Sequence, residues 1–555
     1  MKLRKQICLV VLFIVCVFGC SQYVQAEEAE TPVDFEYTIY ERRNEVYLDE
    51  YTGDKSAAEI VIPDMIEGVP VTYLGRELFA DMQNLERVVL PSSLIEIAGG
   101  AFKDCVSLEI IEGFQDDVEY ILVNAPVSET FGDTPWYQNR VEEAGNKPVM
   151  IGTTVYDLTH CSGAVTIPKG ATTIPEVALQ EKYNEKTRKT DVEITSILLP
   201  ATMTEVQCEK QIAGIDTLKA VKVNTENERY YGKNGVLFDR YAYGMDEEKT
   251  VELVIYPAQK TNETYEVPAS VRRIRCVRSQ YLKTVTFASN YKKSDYVDLL
   301  DYAFAGCKKL KKITLPTYCH LSKYIFKGTA ITSLYLPKGV SATTSSTGVM
   351  AFSGMSKLEK ISVSDKHEYY FVKNGALMSD YDEKQLLVYP AAKSGKSLTI
   401  PAGTKTAFLL NEAKNLKTIV VPTSTKKIIL TTKRMKSIYT IKYRGTKAKW
   451  KDVYVGGYTT EDGEYIGECL TEFTMNYNCK SLSDAKVTIP KKSYKYTGKA
   501  IKPTVTVKMG DTKLKKGTHY SVTYSNNKKK GTAKITITGK GKYYGTRTKT
   551  FKIVK

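Results

Sequence analysis

Apolar residues in this chain fall in short alternating runs rather than in long helical stripes, and one run recurs. The segment AFAGCKKLKKITLP, Ala303 to Pro316, has near copies in LFADMQNLERVVLP from Leu78, AFKDCVSLEIIEG from Ala101 and AFSGMSKLEKISVS from Ala351, with a shortened IFKGTAITSLYLP from Ile325. In LKKITLP the alternation turns Leu310, Ile313 and Leu315 inward and leaves Lys312 and Thr314 outward. A strand this short cannot bury its apolar side alone. Stacked copies in a parallel sheet bury a continuous core and pair every interior strand edge. Pro316 and its equivalents Pro91, Pro200, Pro337 and Pro422 stop the strand where a turn begins. Ala303 and Phe304 then fill the opposite wall.

The spacing is 23 residues from Leu85 to Leu108, 21 from Leu310 to Ile331 and 27 from Ile331 to Leu358, so insertions interrupt the array. One insertion is itself duplicated: NERYYGKNGVLFDR from Asn227 parallels KHEYYFVKNGALMSD from Lys366. Each predicts a hairpin turning at Asn-Gly, Asn234-Gly235 and Asn374-Gly375, followed by a strand ending in Tyr-Pro-Ala.

These motifs resemble the BspA-like leucine-rich repeats of bacterial surface proteins, with their AFxGCxxLxxIxIP unit. The resemblance covers roughly 34–457. FGDTPWYQN (131–139) and YRGTKAKWKDVYVG (443–456) are similar to the family's GTPW and GT-x-x-W variants. Met82 and Met355 stand where Cys is usual, and degenerate units occupy 140–280. The fold expected is mainly β: a leucine-rich-repeat solenoid, with a parallel sheet, a short irregular or helical convex side and inserted hairpins, followed by a small β-sandwich. Residues 458–485 read as a last strand and a polar linker. The final seventy residues alternate with period two in TVTVKM, HYSVTYS, AKITITG and TFKIVK, broken by Gly510-Asp511, Asn526-Asn527, Gly531, Gly539 and Gly541. That pattern predicts the sandwich, and 486–555 resembles bacterial immunoglobulin-like modules.

The N-terminus changes the picture of compartment. Lys2, Arg4 and Lys5 precede an apolar run from Ile7 to Phe18, then small residues and an acidic stretch, as in an export signal covering 1–26. Val17-Phe18-Gly19-Cys20 resembles a lipobox, making Cys20 the lipidation candidate; cleavage after Ala26 is the alternative. No later segment is apolar enough to span a membrane, and no LPxTG motif for covalent wall anchoring is present.

Charge divides the chain. Of the net +16, residues 486–555 carry +19, twenty Lys or Arg against Asp511 alone, so the rest is mildly acidic. All but Arg547 of the twenty are Lys, which act as point charges rather than bidentate forks. This argues against nucleic acid as a partner and for cell-wall or membrane polyanions, with Lys513, Lys515, Lys516, Lys528, Lys529, Lys530, Lys540 and Lys542 as contacts. On the solenoid, the outward positions Arg87, Lys312, Thr314, Ser333, Tyr335, Lys360, Ser362 and Thr418 are the candidates for an extracellular protein or glycan ligand.

Candidate chemistry is thin. Cys307 among its lysines has the look of an activated thiol, yet its slot holds Cys105 in one copy and Met82 and Met355 in others, which marks an apolar core position. Acid pairs such as Asp116-Asp117 and Asp380-Asp382 sit in turns without a calcium-loop pattern. The histidines and cysteines lack metal-ligand spacing. No catalytic constellation and no cofactor is indicated. Cys469 and Cys479 flank the last strand and are close enough in sequence to pair. The reading is an exported surface protein that adheres to macromolecules; the alternative is a non-adhesive spacer or envelope lipoprotein bound to wall polyanions.

Overall fold

The computed structural model describes residues 34–123, 127–241, 250–289, 291, 296–342, 348–381, 383–409, 413–430, 440–459, 465–466 and 473–555. The signal segment, Cys20 and Cys469 lie outside them. The chain divides into two compact units, one ending at Thr261 with Arg275–Gln280 added, the other comprising Asn262–Ile274 and Tyr281–Lys555.

In the first unit, every repeat supplies two strands, one to each of two parallel stacks. The strand before the proline forms one stack: Glu59–Val61 pairs with Arg87–Val89, which pairs with Ile110–Glu112, all parallel and in register. The strand after the proline forms the other, where Val69–Leu74 pairs with Glu96–Ala98 and that with Ile121–Val123. The antiparallel pair Phe35–Tyr40 and Glu45–Tyr51 opens this second stack. Leu85, Val88 and Leu108 are fully buried between the walls.

The AF turn closes each coil. Phe35, Phe79, Phe102 and Phe131 form a spine with ring centroids 6.2, 5.5 and 5.2 Å apart. Turn amides bond the next coil, as in Phe79 N to Ala101 O at 2.8 Å. The fourth turn residue is left-handed in five copies: Asp81 and Asp104 here, Gly306, Gly328 and Gly354 in the other unit. That requirement explains why the motif reads AFxG.

The degenerate stretch keeps the same geometry. Gly163–Thr166, Ile194–Leu199 and Ala220–Val223 are parallel, with one register shift at Gly163/Ala164, and Thr154–Asp157, Thr173–Ile174 and Glu205–Val206 are parallel too. Thr134 caps the helix Pro135–Ala144 through the Tyr137 amide, and Thr446 caps Lys447–Trp450 the same way. So both tryptophan variants replace a turn by a capped helical segment. The hairpins form as predicted, Tyr230–Lys233 with Val236–Asp239 and Tyr370–Lys373 with Ala376–Ser379. All four Asn-Gly residues have positive φ, the requirement of a type I′ turn.

The second unit repeats the plan. Thr264–Val267, Thr284–Phe287 and Lys312–Ile313 are parallel, as are Ser333–Leu336 and Lys360–Val363. Ser397–Thr399, Thr418–Val421, Thr440–Tyr443 and Thr474–Asn476 continue the type. Residues 480–484, read from their polarity as linker, form instead a short strand paired with Tyr543–Tyr544 and a 3-10 turn that buries Leu482. Beyond them lie a three-stranded and a four-stranded antiparallel-rich sheet over one core that includes Val487, Val507, Ile535, Ile537 and Phe551.

Candidate functional site

The sheet-face candidates occupy rows fixed by register. Ser333 stands opposite Lys360 and Tyr335 opposite Ser362, while Lys312 stands opposite Thr284. Lys312, Thr314, Ser333 and Lys360 are exposed, and Tyr335 is 53% exposed. Ser362 is half-buried, its hydroxyl 3.4 Å from Leu334 O. Arg87 is differently placed. Its guanidinium is shared between Glu59 and Glu112 on the two flanking strands, the latter at 2.7 Å, so it ties coils together and is not a free contact.

The face ends at the basic region. Thr418 is half-buried, and Val420, outward by phase, is buried against Cys479 and Tyr544. Lys442, opposite Val420 in register, is 9% exposed and donates from Nζ to Tyr543 O at 2.7 Å. Burial holds its ammonium below the ordinary lysine range. The C-terminal residues thus cover the outward row of these strands.

The eight polyanion candidates do not converge. Lys515, Lys516, Lys540 and Lys542 lie together at one end, where His519 bonds both the Lys515 and the Lys540 amides, and Lys513 is on the strand leading there. Lys528, Lys529 and Lys530 form the turn at the far end of the nine-residue strand Gly531–Gly539, with the Lys530 ammonium 5.4 Å from the Tyr496 ring centre. Nine extended residues separate the groups by about 26 Å, beyond the roughly 8 Å over which salt lets charges feel one another.

Outward phase and register add two lysines the sequence did not single out. Val487, Val507 and Leu514 point into the core, which turns Lys486, Lys508 and Lys513 outward. Lys508 stands directly opposite both of the others. The two-residue turn at Gly510-Asp511 makes the Lys508–Lys513 pair legible from sequence; the Lys486 pairing needs the fold.

The groups with chemistry are committed elsewhere. The seven described cysteines are all buried. Cys105 does more than fill its slot, donating to Phe79 O of the preceding coil at 3.0 Å, and burial pushes its thiol up to about 12. Cys307 is 0% exposed. Cys161 lies 3.9 Å from His160 Nε2, but that ring donates from both nitrogens, to Asp157 at 3.1 Å and to Lys147 O at 2.9 Å. A ring already protonated cannot take a thiol's proton. Asp298, His320 and Ser341 form one row across three strands, with His320 Nδ1 3.2 Å from Ser341 Oγ. Ser341 is also held by Tyr296. No hydrogen bond joins Asp298 to His320, so the orienting contact of a hydrolytic triad is missing. Among the described residues, no group of three or more His, Cys, Asp or Glu is placed to hold a metal, and no helix is long and apolar enough to cross a membrane.

Comparison with known proteins fits the repeat geometry. Residues 50–125 and 275–376 match the BspA type leucine rich repeat region, in six copies. Among curated proteins nothing matches. Three solved structures are similar. A leucine-rich cell surface protein of Faecalibacterium prausnitzii is 17% identical over 78% of this chain and 98% of its own, with TM-score 0.32. The pneumococcal vaccine antigen PcpA is 15% identical over 73% and 94%, with TM-score 0.34. A leucine-rich repeat protein of Eubacterium ventriosum is 15% identical over 73% and 90%, with TM-score 0.27.

Proposed function

We propose that this chain is an exported bacterial surface protein that binds a macromolecular partner through the outward face of its repeats and catalyses nothing. Its basic C-terminal residues, read as an immunoglobulin-like module, retain it at the envelope, and Cys20 or the residue after Ala26 begins the mature protein. The match to BspA type repeats supports a surface role in binding or adhesion. The observation that carries the reading is the open row around Tyr335. An aromatic ring more than half exposed, flanked by Ser333, Ser362 and Lys360 on adjacent positions, offers area and hydrogen bonds at little conformational cost. Repeat stacking extends that row into a surface suited to a long or large ligand.

The test uses the full mature chain on immobilised host matrix proteins and mucin glycans. Wild type should be retained, and Tyr335→Ala combined with Lys360→Glu should lose at least tenfold in affinity with an unchanged melting temperature. Equal retention of both proteins would refute the assignment of this face.

A further inference from the structure

Three lysines lie side by side across the outer face of the three-stranded C-terminal sheet. Lys486 on Lys486–Thr488, Lys508 on Thr506–Met509 and Lys513 on Thr512–Lys513 occupy one registered row, and all three are exposed. Directly opposite side chains in an antiparallel pair have Cβ atoms about 5 Å apart, and like charges placed so are destabilising. Among the described residues no ion pair relieves the repulsion: none involves any residue of 486–555, and the one acid of that stretch, Asp511, pairs with none of the three. An arrangement that costs stability in the free protein and recurs at two successive pairings has the form of a site awaiting anions. One step along the same face, Thr488 stands opposite Thr506, adding two hydroxyls beside the ammonium groups.

We infer that the row Lys486–Lys508–Lys513, with Thr488 and Thr506, is a binding site for a linear anionic polysaccharide whose charged groups cross the strands at about their 4.8 Å spacing. The inference rests on the retention reading above and sharpens it. Binding is placed on a built row, not on the region's overall charge nor on the turn lysines 528–530. The class follows from complementarity. Twenty cations face one acid, lysine ammonium groups suit anions without a fixed planar geometry, and threonine hydroxyls match the hydroxyls of a sugar chain.

The probe is dextran sulfate, titrated against the full mature chain at low salt. Replacing all three row lysines, K486Q, K508Q and K513Q together, is expected to weaken binding roughly a hundredfold, about fivefold for each lysine removed from an anionic partner. The matched variant K528Q, K529Q and K530Q removes the same charge and is expected to lose much less. The row variant should also melt at or above the wild-type temperature, because like-charge repulsion is relieved; a purely structural role for these lysines predicts a lower one. Equal losses in the two triple variants would overturn the site while leaving retention by charge intact. Failure of the wild type to bind dextran sulfate would overturn both. Binding to single-stranded DNA or to phosphatidylglycerol vesicles as tight as to dextran sulfate would overturn the polysaccharide class.

Discussion

His160 gives the most exacting check on how this scaffold is held. Its ring joins the strand Thr154–Asp157 to the residues following the Pro135–Ala144 helix, donating to Asp157 and to Lys147 O. The Asp157 hydrogen bond, with smaller help from Cys161 and Lys147 O against the cost of burial, pushes the imidazolium up to about 10 from 6.5. Burial disfavours the Asp157 carboxylate, yet bonds from His160, Tyr137 and Thr159 outweigh it and hold the acid below its ordinary value. At 1.36 kcal/mol per tenfold in proton affinity, the histidine rise corresponds to at most about 5 kcal/mol. The ring edge is 17% exposed, and solvent screening reduces the figure to about 2–3 kcal/mol. The sign follows from a raised folded value: the stabilisation is full below the unfolded pKa of 6.5, falls as pH rises from there, and is gone by about 10. His160→Gln removes it. Hydrogen exchange of the 137–161 segment, compared between wild type and variant at the same pH, reads the local opening free energy. The gap should be about 2–3 kcal/mol at pH 6 and shrink to within a few tenths by pH 10.5. A gap independent of pH between 6 and 10 would refute the ionic bond.

Two further outcomes follow from packing. Phe102 is fully buried between Phe79 and Phe131 at 5.5 and 5.2 Å, so Phe102→Ala should cost about 3–5 kcal/mol and raise protease cleavage within the surrounding coils; cleavage unchanged from wild type would count against the spine. Tyr544 covers Cys479, which is 4% exposed and whose thiol burial holds above its ordinary value, so Tyr544→Ala should speed alkylation of Cys479 at pH 8 at least tenfold while Cys307 stays unreactive. Mass spectrometry of the labelled peptides decides it, and an unchanged Cys479 rate would mean that this contact does not close over the thiol.

The repeat was legible because the same physical demands recur in each coil. Leu310 and Ile313 alternate with Lys312, Pro316 ends the strand, and Phe304 fills the turn, so copies betray the period and the inward face. The hairpins were legible for the same reason: Asn234-Gly235 and Asn374-Gly375 permit the positive φ values that the turn requires. Local alternation also set the outward phase of Lys312, Ser333 and Tyr335. Between 140 and 280 the spelling decays while the pairing persists, because a parallel stack needs inward apolar groups and tolerates many identities at them.

What the sequence determined by itself, then, was the coil, its phase and the division of charge between body and tail, all set by interactions within about twenty residues. Only the tertiary structure decided which outward groups remain open. Arg87 is spent on two glutamates that come from coils on either side, and Val420 and Lys442 are covered by Tyr543 and Tyr544 about a hundred residues later in the chain. Likewise, basic residues that look alike in sequence sort into two turns and one row only when strands are placed in register. Pairing across strands is a long-range property, and no periodicity along the chain encodes which lysine will stand beside which.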